Sequence, residues 1–274
     1  MSGGPLPAEH ELIPYAPGFP PGGRWLVLAP HPDDEVFGVG ATLSLGVRRG
    51  VQVHVVVVTD GGAQGDGAVR ESESRAAARA LGVPEPEFWR FPDRSLVPAG
   101  AALRAKIAGA LEHHAPDVLF VTSPVEFHPD HRALALAARR VVRARSLGGL
   151  RGRPPEWIAA YEVGAPLRPN VLVAADEAWE RKRAAVSCFA GQIAVRRYDE
   201  VVEAFGTLRA LTLDGVRKAE GFHIEGSRRV ARGSASRWAA SIGVSGGQAP
   251  AGSDRGRETA SPAGDGRSGG VRSP

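Results

Sequence analysis

The chain has 274 residues, 43% of them hydrophobic, which is enough to bury one sizeable core. Its net charge of +4 arises after residue 226, where eight arginines accompany three acidic residues but no nucleic-acid recognition motif. A single cysteine, Cys188, excludes an internal disulfide and a thiolate zinc site.

No stretch approaches the ~20 apolar residues of a membrane-spanning helix, and residues 1–22 lack the basic start and apolar core of a signal peptide. We therefore predict a cytoplasmic protein with no nucleic-acid partner and no membrane span, and the sequence leaves a homo-oligomer open. Three regions are expected: an irregular lead-in over residues 1–22, one domain over 23–226, and a low-complexity, disordered tail over 227–274 that folding does not need.

The first element of the domain is an apolar strand over residues 25–29 that stops at a cluster of one histidine and three carboxylates. Pro30 and Pro32 interrupt the strand ladder, and helical spacing resumes at residues 41–47. His31, Asp33, Asp34 and Glu35 therefore lie on a strand-to-helix loop. One imidazole with neighbouring carboxylates is half of a metal site. The alternative is that the acidic residues only cap the next helix.

The next elements alternate between strand and helix. A β-branched run over residues 51–59 predicts a strand buried on both faces. The glycine-rich loop after it lacks the G-x-G-x-x-G spacing of a dinucleotide site, so nucleotide binding is not expected. A helix over 70–81, a short strand over 87–91 and a helix over 100–114 follow.

A second histidine cluster, His128-Pro129-Asp130-His131, follows the apolar strand at residues 117–123 and precedes a helix over 132–145. Strands over 157–163, 170–174 and 220–224 and helices over 176–190 and 199–211 complete the pattern. This alternation predicts a three-layer α/β/α sandwich with a doubly wound, mostly parallel, Rossmann-like sheet. Both clusters then lie at its carboxyl edge, where ligands bind.

The two clusters together favour metal-assisted hydrolysis. If His31, Asp34 and His131 bind one divalent ion, two imidazoles and a carboxylate leave a fourth position open for water, as in catalytic zinc sites. Such an ion lowers the pKa of the water toward ~7 and polarises a carbonyl oxygen. Asp33 is then free to accept the proton of the water. His128 could stabilise an oxyanion or protonate a leaving amine, with Asp130 orienting its imidazole.

Residues 29–35, Ala-Pro-His-Pro-Asp-Asp-Glu, and 128–132, His-Pro-Asp-His-Arg, resemble the two signatures of the LmbE-like, or PIG-L, family of zinc-dependent N-acetylglucosamine deacetylases. The resemblance spans about residues 24–224. It implies an N-acetylglucosamine-bearing small molecule or glycoconjugate as substrate, and zinc as cofactor, with iron or cobalt as alternatives.

By this resemblance the chain's residues take four roles: metal ligands His31, Asp34 and His131, general base Asp33, polarising pair His128 and Asp130, and sugar contacts Arg70 and Asp93. For the last two, a surface arginine and a turn aspartate are the structural alternatives.

One departure from the family concerns a tyrosine that thiol-pathway members often place shortly before the second signature. Here that stretch is Pro124-Val125-Glu126-Phe127, so either His128 works alone or a residue such as Tyr161 substitutes. Two other classes of function stay open. A two-His-one-carboxylate set also fits a non-haem iron oxygenase, and a carbohydrate- or metal-binding module would keep these residues without catalysis.

Overall fold

The computed structural model describes residues 16–243. The helices and strands of this part of the chain follow in this order, alternating from β2 to β6: β1 (Ala16–Pro17), β2 (Arg24–Ala29), α1 (Asp34–Arg48), β3 (Gln52–Thr59), α2 (Gly67–Leu81), β4 (Glu87–Phe91), α3 (Gly100–His114), β5 (Val118–Thr122), α4 (Pro129–Ser146), β6 (Trp157–Tyr161), β7 (Val171–Ala174), α5 (Asp176–Val186), α6 (Ala190–Val195), α7 (Tyr198–Ala210), β8 (Ala219–Gly226), α8 (Ser227–Arg232) and α9 (Ala235–Ile242).

The strands form one sheet in the order β1-β7-β8-β6-β5-β2-β3-β4. All described pairs are parallel except those that β8 makes with β6 and β7, so the predicted mostly parallel α/β fold is confirmed. Strand β2 lies between β3 and β5, and the chain changes direction across the sheet at that point. Ligands bind outside the carboxyl ends of strands at such a switch point, and both histidine clusters follow these two strand ends.

Strand residues alternate between two cores, one on each face of the sheet. Trp25 and Val27 pack with α1, α2, α5 and α7, whereas Leu26 and Leu28 pack with α3, α4, α8 and α9. Because both faces are covered, the central strands are apolar without polar alternation. The domain is therefore a three-layer sandwich, as the sequence predicted.

Helix α1 approaches the sheet closely at two glycines on one of its faces. A Cβ on Gly38 would lie 2.3 Å from the Tyr161 ring, and one on Gly46 would lie 2.5 Å from the Trp25 ring. These contacts fix the height of α1 above β2 and β6. They therefore also fix the position of its first turn, which carries the first acidic cluster.

The helix predicted over residues 176–190 is confirmed over residues 176–186 and wrong at its C-terminal end. Helix α5 ends at Val186, and a separate helix, α6, begins at Ala190. Phe189 between them is fully buried and packs edge-on against Phe37, with ring centroids 5.6 Å apart. Burying this ring requires a turn that a continuous helix does not provide.

The tail boundary predicted at residue 227 is also wrong for residues 227–243. These residues form α8 and α9, which bury Val230, Trp238 and Ile242 against the core on the α4 side of the sheet. Arg139 donates to the carbonyls of residues 230 and 233, and Arg143 to that of residue 231. The composition of this segment did not predict its helices. A few well-placed apolar residues are enough to dock it, because a neighbouring helix supplies hydrogen-bond donors.

Residues 1–15 and 244–274 lie outside the described part of the chain, so the rest of the predicted lead-in and tail stays a prediction. No helix within residues 16–243 is long and apolar enough to cross a membrane.

Candidate active site

The two histidine clusters meet at the carboxyl ends of β2 and β5. His31 Nδ1 lies 3.2 Å from Asp34 Oδ2 and 3.2 Å from His131 Nε2, and His131 Nε2 lies 3.1 Å from Asp34 Oδ2. Two ring nitrogens and one carboxylate oxygen from loops 100 residues apart in the chain thus form a nearly equilateral triangle. The sequence predicted this convergence.

The triangle has the size expected of metal ligands. Bonds of about 2.0–2.1 Å at tetrahedral angles place ligand atoms about 3.3 Å from one another. Donor atoms of His31, His128 and His131 also lie within 4.8 Å of one another, as do those of His31, Asp93 and Asp130. The residues present therefore fit a single small divalent ion.

Buried carboxylates lie behind the far ring nitrogen of His31. Its Nε2 is 3.2 Å from Asp93 Oδ1 and 3.5 Å from Asp130 Oδ2, close contacts that fall short of hydrogen-bond geometry. Asp130 is fully buried, and its other oxygen accepts the Leu96 backbone N–H at 3.1 Å. Acidic partners of this kind orient metal-binding imidazoles. Asp130 was predicted to orient His128, but its carboxylate faces His31.

Glu126 holds the corresponding place behind His131, and sequence reasoning assigned no role to it. One of its oxygens lies 3.8 Å from His131 Nδ1. Its carboxylate also accepts backbone N–H groups of Val163, Gly164 and Ala165 at 2.7–3.1 Å. Burial raises the pKa of Glu126. Its position two residues before His128 was the only sequence signal that could have identified it.

The charges of the cluster favour a bound cation. Burial opposes charge on His31, but contacts with Asp130, Asp34 and Asp93 outweigh it and raise the pKa of this histidine well above its usual value. Burial likewise opposes charge on Asp34, but His131 and His31 hold the pKa of its carboxyl far below the usual range. Without a metal, the positive charge among these carboxylates is supplied by a proton on His31. A divalent ion bound here would supply that positive charge instead.

Asp33 has an unusual conformation for a side-chain-bearing residue. It occupies the position before α1 with φ 137°, and its side chain makes no capping hydrogen bond, so the helix-capping alternative is wrong for Asp33. Backbone strain in such regions costs about 1–3 kcal/mol and occurs mainly at functional sites. The carboxylate instead accepts from Arg70 Nη2 at 2.8 Å.

Burial and the neighbouring Asp34 raise the pKa of Asp33 well above its usual value, against the opposing effect of Arg70. Arg70 itself is 4% exposed and also donates to the carbonyl of Pro32. Arg70 and Asp93, which were predicted to contact the sugar, both line the cavity. Arg70 also holds Asp33 in place, and Asp93 lies close to His31.

Glu35 stabilises the loop that contains the strained Asp33. Its carboxylate accepts the Asp33 backbone N–H at 3.0 Å and the Ser74 hydroxyl at 3.0 Å. Ser74 and Arg70 lie one turn apart on α2, so this helix supports the loop at two points. Burial raises the pKa of Glu35 to about 7.

His128 lies half-buried beside the metal-ligand candidates, with its ring centroid 4.5 Å from that of His31. Its Nδ1 accepts the Asp130 backbone N–H at 3.2 Å, so a neutral His128 carries its proton on Nε2. Burial and the charges of His31 and His131 lower its pKa. Tyr161 cannot replace the missing tyrosine, because it is fully buried and its hydroxyl donates to the Leu28 carbonyl at 3.0 Å.

A cavity of about 720 Å³ opens over this cluster. Its inner wall consists of the residues of the two histidine clusters, and its outer wall comes from α6, the start of α7 and the β5–α4 loop. Sequence reasoning missed the outer residues because they carry no motif; they include Phe127, Gln192, Val195, Arg196, Arg197, Tyr198 and Val201.

A Rossmann-like sandwich with a His–Asp–His triangle at its switch point defines a candidate metal-dependent enzyme. A family model described as PIG-L, GlcNAc-PI de-N-acetylase, matches residues 26–142. A conserved protein from Thermus thermophilus, solved by crystallography, has 32% sequence identity and a TM-score of 0.65 over 73% of this chain and 93% of its own. The chain belongs to the PIG-L, or LmbE-like, family.

Two curated relatives illustrate the range of activities among similar chains. The diacetylchitobiose deacetylase of Thermococcus kodakarensis is 29% identical over 182 residues, covering 59% of this chain and 67% of the relative. The 4-oxalmesaconate hydratase of Pseudomonas putida is 27% identical over 193 residues, covering 61% and 73%.

Proposed function

We propose that this protein is a divalent-metal-dependent deacetylase that removes the acetyl group from the 2-amino position of an N-acetylglucosamine-containing substrate. The observation that carries the proposal is the triangle of His31 Nδ1, Asp34 Oδ2 and His131 Nε2, with edges of 3.1–3.2 Å. Membership of the family supports the reaction, because its model is described as a GlcNAc-PI de-N-acetylase and a relative is named a diacetylchitobiose deacetylase.

His31, Asp34 and His131 are the proposed metal ligands, with the acidic residues behind each histidine fixing its ring. Zinc is the proposed ion, with iron or cobalt as alternatives, because this ligand set does not choose strongly among them. When bound, the ion supplies Lewis-acid activation of water and of the amide carbonyl. A cytoplasmic location and the absence of a nucleic-acid partner stay predictions, and the sequence leaves the oligomeric state open.

Asp33 is the proposed general base. Burial and Asp34 raise its pKa above that of an ordinary carboxyl, which makes it a stronger base, and Arg70 fixes its orientation. It accepts one proton as the water oxygen bonds to the amide carbon. The Nε2–H of His128 is the proposed donor to the developing oxyanion. The C–N bond then breaks, Asp33 returns the proton to the leaving nitrogen, and the products are acetate and the free amine.

The neighbours Asp33 and Asp34 provide the sharpest test, because the proposal gives them different roles. Asp34→Asn replaces an anionic ligand with a neutral amide, so metal content and turnover should fall together. Asp33→Asn should keep the metal and lose turnover by a factor on the order of 10²–10⁴. Metal content by elemental analysis and release of free amine are measured on each variant.

Asp66→Asn is the matched control, because Asp66 caps α2 outside the cavity by accepting the Ala68 N–H at 2.8 Å. It should change neither metal content nor turnover, since asparagine also caps helices well. If Asp33→Asn empties the site and Asp34→Asn keeps it full, the two roles are reversed. Full metal and full turnover in both variants would refute the proposed site.

The same measurements separate the competing classes. An iron oxygenase would consume oxygen, and the parallel sheet and family membership argue against it. A hydratase like the Pseudomonas relative would add water to an unsaturated acid without releasing an amine. A binding module would retain an N-acetylglucosaminide without turnover. Amine release from N-acetylglucosamine or diacetylchitobiose, with no oxygen uptake, is expected of the deacetylase alone.

A further inference from the structure

Three apolar side chains stand exposed around the mouth of the catalytic cavity. Phe127 is 74% exposed, Val195 67% and Val201 36%, and all three line the cavity. Phe127 comes from the β5–α4 loop, whereas the two valines come from α6 and α7. An exposed apolar group that rims a polar site typically marks a binding surface, whereas a single exposed side chain elsewhere would need no explanation.

Phe127 is exposed on a fixed backbone. Arg132 Nη1 donates to the carbonyls of Phe127 at 2.5 Å and Glu126 at 2.7 Å. The Glu126 carboxylate accepts hydrogen bonds from the backbone N–H groups of residues 163–165 and so holds that neighbouring segment in place. The ring lies across Gly164, where an added Cβ would be 3.6 Å from Phe127 Cδ2. A rigid aromatic side chain gives large contact area at low entropic cost.

The cavity wall formed by α6 and α7 is also ordered by aromatic packing. Tyr198 stacks on Phe37 with ring centroids 5.2 Å apart, which anchors the start of α7 and hence Val195 and Val201 on either side of it. The charged groups of the cavity all lie at the inner end, around the metal-ligand candidates, apart from Arg196 and Arg197 on the α6–α7 link. A substrate that places its acetamide at the inner end therefore extends its other end between Phe127 and the valines.

We propose that Phe127, Val195 and Val201 form an outer subsite that binds an apolar aglycone, so that the substrate is an alkyl-, aryl- or acyl-bearing N-acetylglucosaminide rather than the free sugar. This inference rests on the proposed function. The cavity volume of about 720 Å³ supports it, because that volume lies in the range of about 300–1,000 Å³ typical of drug-sized ligands.

The test compares methyl and hexyl N-acetylglucosaminides of the same anomeric form. Each fully buried methylene strengthens binding about fourfold, so covering two of the five extra methylenes gives more than a tenfold preference. The wild-type kcat/KM should therefore be at least about tenfold higher for the hexyl glycoside. Phe127→Ser should bring the hexyl-to-methyl ratio close to one, mainly by raising KM for the hexyl glycoside.

Leu147→Ser is the matched control, because Leu147 is 57% exposed and lies at the end of α4, outside the cavity lining. It should leave both rates and their ratio unchanged. A wild-type ratio near one, or an equal loss on both glycosides in Phe127→Ser, overturns the outer subsite. The outer subsite is also overturned if the wild-type protein is a dimer, Phe127→Ser makes it monomeric, and the hexyl-to-methyl ratio is unchanged. The exposed apolar side chains would then join two copies of the chain.

Binding measurements keep this inference separate from the proposed function. If wild-type protein releases no amine from any glycoside, the deacetylase proposal fails, and calorimetric titration with the two glycosides still tests the subsite. At least about tenfold tighter binding of the hexyl glycoside, lost in Phe127→Ser, supports it. Equal affinities for the two glycosides refute it.

Discussion

Replacing Lys182 by methionine should destabilise the domain strongly, because this lysine neutralises a carboxylate buried behind the active site. Lys182 is 2% exposed, and its Nζ donates to Glu220 Oε1 at 2.6 Å and to the Phe37 carbonyl at 2.8 Å. Glu220 in turn accepts the backbone N–H groups of Ala41 and Thr42 at 3.0 and 2.7 Å. The pair therefore ties α5 and β8 to the middle of α1.

The expected loss follows from what remains after the substitution. Lys182→Met keeps an unbranched side chain, one atom shorter, but leaves Glu220, 4% exposed, with two backbone donors and no cation. Breaking a buried pair by removing one partner costs about 3–5 kcal/mol of unfolding free energy. At roughly 2–4 °C per kcal/mol for a domain of this size, the melting temperature should fall by about 6–20 °C.

The assay is urea unfolding, followed by circular dichroism, of wild type, Lys182→Met, Glu220→Gln and the double variant. The double variant should recover part of the loss, because the unpaired charge is gone, and the cycle gives the coupling energy directly. Arg183→Met is the matched control, since Arg183 is exposed and surface pairs like those it makes with the exposed Glu180 and the half-buried Glu203 are worth about 0–1 kcal/mol. A loss in Lys182→Met no larger than that in Arg183→Met would refute the reasoning.

Three further outcomes are expected. Burial raises the pKa of Glu35 to about 7 from its ordinary 4.5. As pH rises from 4.5 to 7, the Glu35 carboxyl therefore loses its proton in the unfolded chain before it does so in the folded one. The metal-free fold should lose unfolding free energy on the order of 3 kcal/mol over this range. Glu35→Gln should remove that loss, so in urea unfolding the variant should gain more stability relative to wild type at pH 8 than at pH 5. Equal gains at the two pH values would contradict this expectation. A chain ending at residue 226 should unfold at lower temperature than one ending at residue 243, because only the latter keeps Trp238 and Ile242 on the core, and equal melting temperatures would show that α8 and α9 contribute nothing. Chelation should abolish amine release and added zinc should restore it, whereas full activity at no measurable metal content would remove the proposed mechanism.

Strand β3 and helix α3 were among the easiest elements to predict from sequence. Strand β3 was expected over residues 51–59 and extends over Gln52–Thr59, and helix α3 has the predicted limits of 100–114. A strand covered on both faces must be apolar along its length, so its sequence pattern depends little on which elements cover it. By contrast, residues 227–243 look like low-complexity chain, and their helices depend on donors from Arg139 and Arg143 of α4.

The two signatures predicted that His31, Asp34 and His131 would meet, since the carboxyl ends of parallel strands share one edge of a sheet. The residues that support these side chains were less accessible to sequence reasoning. Asp130 faces His31 rather than His128, and Glu126 lies behind His131. Which ring a carboxylate contacts depends on the orientation of a loop, and residue spacing does not encode that orientation.

The sequence by itself therefore determined the α/β class, the family and the edge of the sheet where the candidate ligands meet, because these follow from local periodicity and from contiguous signatures. Only the tertiary structure decided which residues form the outer wall of the cavity. Phe127 and Val195 are 68 positions apart and share no pattern. They line the same cavity because the Phe189 turn and the Tyr198–Phe37 stack direct α6 and α7 over the site. Packing between distant elements sets that geometry, and no local stretch of sequence specifies it.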